Sequence, residues 1–100
     1  MEEGLDGTKM SRPRKRRRVM GKLNSSYFKP AGIRMIDLEE SVLSLSEFEA
    51  IRLIDFERVS QKEAGEKMRI SQPTLSRLLS SGRGKIADAI IIGKAIRIEK

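Results

Sequence analysis

Two helix-start signals that lie eleven residues apart constrain the fold of this 100-residue chain more than any other feature. Ser60 is followed three residues later by Glu63, which is the spacing of a capping box. Ser71 is followed after one residue by Pro73, and proline is tolerated in a first helical turn because the amides there lack an intrahelical partner. The spacing predicts a short helix over residues 61–68 and a second helix that begins directly after Ser71.

Apolar and small residues occupy the positions at which two such helices would pack. Ala64 and Gly65 are small where the two backbones would cross, and the other inward positions are apolar: Met68, Ile70, Leu75 and Leu78. The turn usually requires glycine because the chain there adopts a positive φ, and Arg69 at this position costs roughly 1–2 kcal/mol. Two helices joined in this way form a helix-turn-helix unit. A helical hairpin whose polar residues only face water is the alternative.

Helical patterns continue on both sides of this unit. Ser46 and Glu49 have capping-box spacing and predict a helix from about Glu47 to Phe56. After Ser71, residues with 4-3-4-3-4 spacing predict one helix that continues to about Ile92. This seam comprises Leu75, Leu79, Gly82, Ile86, Ala89 and Gly93.

Two internal glycines weaken the predicted long helix and could interrupt it. Gly82 and Gly84 each cost about 1 kcal/mol relative to alanine inside a helix, so a break near Ser81 is the alternative. Gly93 is expected to end the helix, and alternation in residues 95–98 indicates a candidate terminal strand. The predicted fold class is therefore all-α, a small helical domain with at most a short C-terminal strand.

The composition excludes several classes of protein. The chain has neither cysteine nor histidine, which removes disulfide scaffolds, thiolate nucleophiles, cysteine-based metal sites and the commonest general base. The longest uncharged apolar run spans residues 89–92, far short of the roughly 20 residues of a membrane span. The N-terminus also lacks the apolar stretch of a secretory signal. We therefore expect an intracellular protein that is not an enzyme and that uses no metal or other cofactor.

The net charge of +7 is divided into blocks along the chain. Residues 1–11 carry −2, residues 12–22 carry +7 without any acid, residues 23–57 carry −4 and residues 58–100 carry +6. Because a run of like charges repels itself and cannot pack on apolar surface, residues 1–22 are predicted to be a disordered leader and a basic arm.

The remaining chain is predicted to fold in two connected parts. Residues 23–45 contain turn-forming residues and are predicted to be a loop-rich segment that packs on the helical domain. Residues 46–100 are predicted to be the helix-turn-helix domain with its extended C-terminal helix. A sequence pI near 10.1 favours a polyanion as partner.

Longer motifs carry a resemblance to a known family. They include Arg12-Pro13-Arg14-Lys15, Phe28-Lys29-Pro30-Ala31-Gly32-Ile33, Ser60-Gln61-x-Glu63-Ala64, Ser76-Arg77-Leu78-Leu79-Ser80 and Gly93-Lys94-Ala95-x-Arg97-Ile98. Over about residues 12–98 the chain resembles the uncharacterised protein family 0251 (domain of unknown function 134), whose members are described as predicted DNA-binding proteins. Its helical part is also similar to region 4 of the primary sigma factors.

Four positions depart from the family pattern. The family usually has Cys at Arg16, Gly at Arg69, Ala at Gly82 and a basic residue at Gly84. Any metal or redox role of relatives that depends on cysteine therefore does not carry over to this chain.

The resemblance implies a sequence-specific duplex-DNA-binding protein, a transcriptional regulator with a winged-helix-like domain in the prokaryotic cytoplasm, associated with the nucleoid. The helix that starts at Gln72 would read the major groove, where Gln can pair with adenine and Arg with guanine. The base-contacting candidates are Ser71, Gln72, Thr74, Ser76, Arg77 and Ser80. The candidates for contacts with the DNA backbone are Gln61, Lys62, Arg69, Arg83 and Lys85. The arm would lie in a minor groove through Arg12, Arg14, Lys15, Arg16, Arg17 and Arg18.

Other partners stay open at this point. An arginine-rich arm also suits RNA, although four aromatic residues are too few for a base-stacking platform. A module that docks on the transcription machinery would use the acidic block from Asp37 to Glu57. The isoleucine-rich C-terminal segment suggests a homodimer, unless the same side chains cover the first helix and the acidic block. These isoleucines are Ile86, Ile90, Ile91, Ile92, Ile96 and Ile98.

Overall fold

The computed structural model describes residues 18–99, which form a small, mostly helical domain that also contains a short sheet. Within these residues the helices are α1 (Leu45–Ile51), α2 (Gln61–Met68) and α3 (Gln72–Ile92). The strands are β1 (Tyr27–Phe28), β2 (Glu40–Leu43) and β3 (Ala95–Ile98). A 3-10 turn over Met35–Asp37 precedes β2, and a π-helical turn over Arg52–Phe56 continues α1.

Helix α2 and the turn that follows it agree with the sequence prediction. The Ser60 hydroxyl accepts a hydrogen bond from the Glu63 amide at 3.0 Å, and α2 ends at Met68. Arg69 has φ 59° and ψ 46°, which is the left-handed conformation expected at this position. The Ile70 amide then donates to the Gly65 carbonyl at 3.0 Å, a bond that satisfies one of the free carbonyls at the end of α2.

Helix α3 is continuous through both internal glycines, as predicted. It begins with the Ser71 hydroxyl as cap and ends at Gly93, which has φ 90°. Gly82 is buried where α1 crosses α3, and a Cβ atom there would lie 2.8 Å from Ile51 Cδ1 and 3.2 Å from Glu47 Cβ. The close approach of the two helices therefore depends on the missing side chain at Gly82.

The start of the first helix was predicted two residues too late. Helix α1 is capped by Ser44, whose hydroxyl accepts from the Glu47 amide at 3.1 Å while the Ser44 amide donates to Glu47 Oε1 at 2.8 Å. A capping box of Ser46 and Glu49 is therefore wrong. The same Ser-x-x-Glu spacing occurs twice in this segment, but the Glu49 carboxylate is engaged elsewhere, because it accepts hydrogen bonds from the amides of Met20 and Gly21 and from Arg52.

The all-α prediction also needs correction, because β3 is the central strand of a three-stranded sheet with the order β1-β3-β2. The candidate terminal strand is thus confirmed, but both of its partners come from the segment predicted to be loop-rich. Strand β1 pairs antiparallel with β3, and β2 pairs parallel with it, so that Ser41 lies opposite Ile96. A two-residue and a four-residue strand give little local signal, and their partner lies more than fifty residues away along the chain.

The hydrophobic core has its centre between the three helices. Its fully or nearly fully buried members are Ala50, Leu53, Ala64, Met68, Leu75 and Leu79. A second group packs the sheet against the end of α3 and comprises Leu43, Ala89, Ala95 and Ile98. Among residues 18–99, no helix is both long and apolar enough to cross a membrane.

Candidate nucleic-acid interface

The outward face of the first half of α3 is polar and exposed, as the helical periodicity predicts. Gln72, Ser76, Arg77 and Ser80 are exposed on this face, while Leu75 on the opposite face is fully buried. A helix that is anchored on one side and carries hydrogen-bonding side chains on the other has the arrangement required of a groove-reading helix.

Two of the predicted base-contacting residues are engaged in starting the helix. The Ser71 hydroxyl accepts from the Thr74 amide at 3.3 Å and lies 2.9 Å from Thr74 Oγ1. Ser71 is exposed and Thr74 is half-buried. Their hydroxyl groups thus satisfy each other and the helix terminus, which leaves less capacity for a base than Gln72 or Arg77 has.

The turn between α2 and α3 borders an open cavity with a volume of about 680 Å³. Lys62, Arg69 and Gln72 lie along it, and Arg69 and Lys62 are exposed. Gln61 precedes Lys62 in the first turn of α2, where free amide groups and the helix dipole favour an anion. Two of the predicted backbone-contacting residues, Lys62 and Arg69, therefore lie beside the start of α3, and Gln61 lies at the start of α2.

The described end of the basic arm reaches the same turn. The Arg18 amide donates to the Met68 carbonyl at 3.1 Å, one residue before Arg69. The Arg18 side chain is exposed. The other predicted arm residues, Arg12, Arg14, Lys15, Arg16 and Arg17, lie outside the described residues.

Arg83 and Lys85 are not brought together with this surface. Arg83 forms a two-pronged ion pair with Asp55, with distances of 2.7 Å and 3.1 Å. Lys85 Nζ lies 2.8 Å from Glu47 Oε1, and its backbone carbonyl accepts from Ser41 on β2. Both cations, predicted to contact DNA, are bound to acidic residues of α1 and of its π-helical continuation.

Acidic residues 37–57 are mostly turned toward cations of the protein itself. Their ion pairs are Asp37–Arg34, Glu40–Arg97, Glu47–Lys85, Glu49–Arg52, Asp55–Arg83 and Glu57–Arg52. Hydrogen bonds from Arg83 lower the pKa of the Asp55 carboxyl, against a smaller opposing effect of burial. The block expected to form an acidic docking surface is thus largely ion-paired within the chain, and its docking on the transcription machinery stays a prediction.

The C-terminal isoleucines divide into a buried and an exposed set. Ile98 is buried, and Ile86 and Ile96 are half-buried. Ile90, Ile91 and Ile92 expose 71%, 79% and 63% of their surface at the end of α3. These three side chains do not cover α1, and a homodimer through them stays a prediction.

Residues 18–99 contain no group of three acidic side chains arranged to hold a metal ion.

The comparison with known proteins assigns the family. Residues 8–100 match the family described as "Protein of unknown function DUF134". The chain belongs to this family. A UPF0251 protein of Caldanaerobacter subterraneus subsp. tengcongensis is 50% identical over 90 residues, which cover 90% of this chain and 76% of the relative. A UPF0251 protein of Dehalococcoides mccartyi is also 50% identical over 90 residues, with 90% and 77% covered. No solved structure matches the chain.

Two buried glutamates are the structural feature that sequence reasoning missed. Glu47 and Glu49 expose 4% and 0% of their surface. Burial raises the pKa of each carboxyl, but hydrogen bonds from Lys85 and Ser81 at Glu47, and from Arg52 and two backbone amides at Glu49, outweigh it and lower both. The sequence around these two residues does not predict their burial, because an acidic residue in a helical pattern usually faces solvent.

Proposed function

We propose that this protein binds duplex DNA with sequence preference and acts in transcription regulation. In this proposal α2, the turn and α3 form a helix-turn-helix, and the first half of α3 enters the major groove. The observation that carries the proposal is the polar, exposed face of Gln72, Ser76 and Arg77, held rigidly by Leu75 and Leu79 in the core on the other side.

Gln72 and Arg77 are the principal readers in this proposal. Glutamine can pair with both edge atoms of adenine, and arginine with those of guanine, and each such pair contributes roughly 1–3 kcal/mol of discrimination. Among the described residues Arg77 makes no ion pair, in contrast to Arg83. Ser76 and Ser80 flank the readers, while Ser71 and Thr74 chiefly shape the start of the helix.

Phosphate contacts are assigned to the residues near the turn. Lys62 and Arg69 line the turn beside Gln72, Gln61 lies in the first turn of α2, and Arg18 is held at the same turn by the bond of its amide to the Met68 carbonyl. For each phosphate that a cation neutralises, the slope of the logarithm of the binding constant against the logarithm of the salt concentration becomes steeper by about 0.9. Arg83 would have to exchange Asp55 for a phosphate, so its contribution to binding is expected to be small.

Selection from a randomised duplex pool with the full-length protein tests this proposal. A common sequence should emerge, and fluorescence anisotropy should then show tighter binding to the selected duplex than to a random duplex, a structured RNA or a single strand. Preference for the RNA, or equal affinity for every nucleic acid, would contradict sequence-dependent duplex binding.

Arg77→Ala tests whether Arg77 discriminates between bases, and Arg34→Ala is the charge-matched control. Arg34 precedes the 3-10 turn and pairs with Asp37 on an exposed loop. We expect Arg77→Ala to reduce the preference for the selected duplex by roughly 1–3 kcal/mol and Arg34→Ala to leave that preference unchanged. An equal loss of affinity for selected and random duplexes in Arg77→Ala would assign Arg77 to the backbone instead.

A further inference from the structure

The chain that follows the basic arm is strapped across α1 by a single buried carboxylate. The Met20 amide donates to Glu49 Oε2 at 2.9 Å, and the Gly21 amide donates to Glu49 Oε1 at 3.1 Å. Arg52 also binds this carboxylate, with Nε 2.8 Å from Oε1 and Nη2 3.0 Å from Oε2. We call Met20, Gly21, Glu49 and Arg52 the strap.

Gly21 is required for this arrangement. A Cβ atom at Gly21 would overlap the Arg52 guanidinium and lie 2.8 Å from Glu49 Oε1. Since Glu49 is fully buried, the carboxylate has little freedom to move away. Any larger residue at Gly21 would therefore separate the chain from the carboxylate or displace Arg52.

A further backbone contact shows where the strapped chain leads. Two residues before Met20, the Arg18 amide donates to the Met68 carbonyl at the last residue of α2. Met20 itself lines an open groove together with Leu53 and Val59. The strap and this contact place the end of the arm beside Arg69 and the start of α3.

We infer that Glu49, with Gly21 and Arg52, is a positioning residue that makes the basic arm leave the domain at the α2–α3 turn, where it adds its charge to the proposed DNA-binding surface. This inference rests on the proposed function. Without the strap, residues 18–26 would hang from β1, and a flexible chain of nine residues extends over roughly 16 Å. That distance is about half of one turn of duplex DNA, which is 34–36 Å long, so the arm would no longer be confined to the surface that α3 reads.

The expected effect is on affinity and not on base preference. The strap raises the effective concentration of the arm charges near the phosphates that flank α3. We expect Gly21→Ala and Glu49→Gln to bind duplex DNA roughly 3- to 10-fold more weakly, with a shallower salt dependence. The ratio of affinities for selected and random duplexes should not change, because Gln72 and Arg77 are untouched.

The experiment compares these two variants with matched controls in the full-length chain. Gly84→Ala is the control for Gly21→Ala, because a Cβ atom at Gly84 meets no other atom within 4 Å. Glu57→Gln is the control for Glu49→Gln, because Glu57 is the exposed acid at 3.3 Å from Arg52. Each substitution is also made in an arm-neutral chain, in which the five basic residues between positions 12 and 17 are replaced by glutamine.

Limited trypsin digestion provides a readout that does not depend on DNA. Arg18 and Lys22 are trypsin sites on either side of Met20 and Gly21. Both strap variants should be cleaved faster there than the wild type and the controls. In the arm-neutral chain, the strap variants should bind duplex DNA as well as the arm-neutral parent does.

Three outcomes would overturn the inference. Unchanged cleavage in both strap variants would show that the amides are not held by Glu49. Faster cleavage with unchanged affinity would show that the exit point of the arm is irrelevant for binding. An equal loss of affinity in the arm-neutral chain would show that Glu49 acts only through the fold. If the wild type itself does not bind duplex DNA, the proposed function fails together with the inference, which distinguishes this case from the other three.

Discussion

The two halves of α3 use the same helix in different ways. In the first half, residues 72–80, the inner face is packed tightly by Leu75 and Leu79, and the outer face ends in polar side chains, Arg77 among them, that face solvent. In the second half, residues 81–92, the inner face is built on small residues, and the cations Arg83 and Lys85 are bound to acids of the first helix and its π-helical continuation.

The difference shows that a count of charges along the chain overstates what a partner meets. The +6 of residues 58–100 suggests a uniformly basic C-terminal part. The ion pairs with the acidic block remove Arg83 and Lys85 from that sum, since opposite charges 3 Å apart largely cancel at a distance. Of the cations in residues 58–99, Lys62 and Arg69 are exposed at the turn before α3, and Arg77 is exposed on its first half.

The largest expected effect tests the anchoring of the first half. Leu75 is fully buried in the core, and Leu75→Ala should lower the free energy of unfolding by about 2–5 kcal/mol, because the substitution leaves a cavity. Ile91 in the second half is 79% exposed, and Ile91→Ala should change it by no more than about 0.5 kcal/mol. Urea unfolding measures both.

The Ile91→Ala comparison should be made at two protein concentrations. If the stability of the wild type rises with concentration and that of Ile91→Ala does not, the exposed isoleucines join two copies of the chain. A loss above 1 kcal/mol at both concentrations would mean that the end of α3 is packed within one chain, contrary to the structure.

The second prediction breaks the ion pair between the second half of α3 and the first helix. Lys85→Met removes the cation at 2.8 Å from the buried Glu47 carboxylate, which keeps hydrogen bonds from Ser81 and from the Ser44 amide. Lys85 is 39% exposed, so water screens the pair, and we expect a loss of about 1–3 kcal/mol at neutral pH. Lys62→Met, on an exposed position of α2, is the control and should change the stability little.

The pH dependence of this loss identifies its cause. Burial raises the pKa of the Glu47 carboxyl, but Lys85 and the other donors lower it by more, so the pKa in the folded state lies below the ordinary value of 4.5. Glu47 therefore stabilises the fold above about pH 4.5, and this contribution is lost as the pH falls through the lower folded pKa. The difference in stability between wild type and Lys85→Met should be largest at neutral pH and should narrow below about pH 4.5. A gap that is the same at pH 7 and pH 3 would exclude the ion pair as its source.

The third prediction compares the two glycines in the second half. Gly84→Ala places a methyl group in open space and should stabilise the protein by about 1 kcal/mol, because alanine favours the helix. At Gly82 the same methyl group would meet Ile51 Cδ1 at 2.8 Å and Glu47 Cβ at 3.2 Å. Gly82→Ala should therefore be less stable than Gly84→Ala in thermal unfolding. Equal gains at both positions would mean that α1 and α3 have room to move apart.

Local signals predicted the parts of the fold that depend on neighbouring residues. Helix α2 has the predicted bounds, since Ser60 and the left-handed Arg69 act within one turn of it. The continuity of α3 followed from its seam of small and apolar residues. The sheet could not be predicted, because the pairing of β2 with β3 joins Ser41 to Ile96 across the whole helical part.

The candidate interface was predicted to the extent that it depends on helical periodicity. The exposed positions of Gln72, Ser76 and Arg77 follow from the buried Leu75. Helical periodicity also predicts that Arg83 is exposed. It cannot predict that Asp55 lies opposite Arg83, because the position of Asp55 depends on how α1 crosses α3. The same reason explains why the strap at Glu49 was missed, since its amides come from residues almost thirty positions earlier.

The smallest expected effect separates the two arginines of α3 directly. The Arg83–Asp55 pair has side chains that are 52% and 41% exposed, so Arg83→Ala should cost only about 0.2–1 kcal/mol of stability, and less in high salt. Arg77→Ala should leave stability within about 0.5 kcal/mol of the wild type while it weakens the preference for the selected duplex. When both variants are measured, Arg83→Ala should therefore change thermal unfolding more than duplex affinity, and Arg77→Ala should change duplex affinity more than thermal unfolding. If Arg83→Ala weakens duplex binding as much as Arg77→Ala and leaves stability unchanged, Arg83 must leave Asp55 for the DNA, and both halves of α3 then supply charge to the partner.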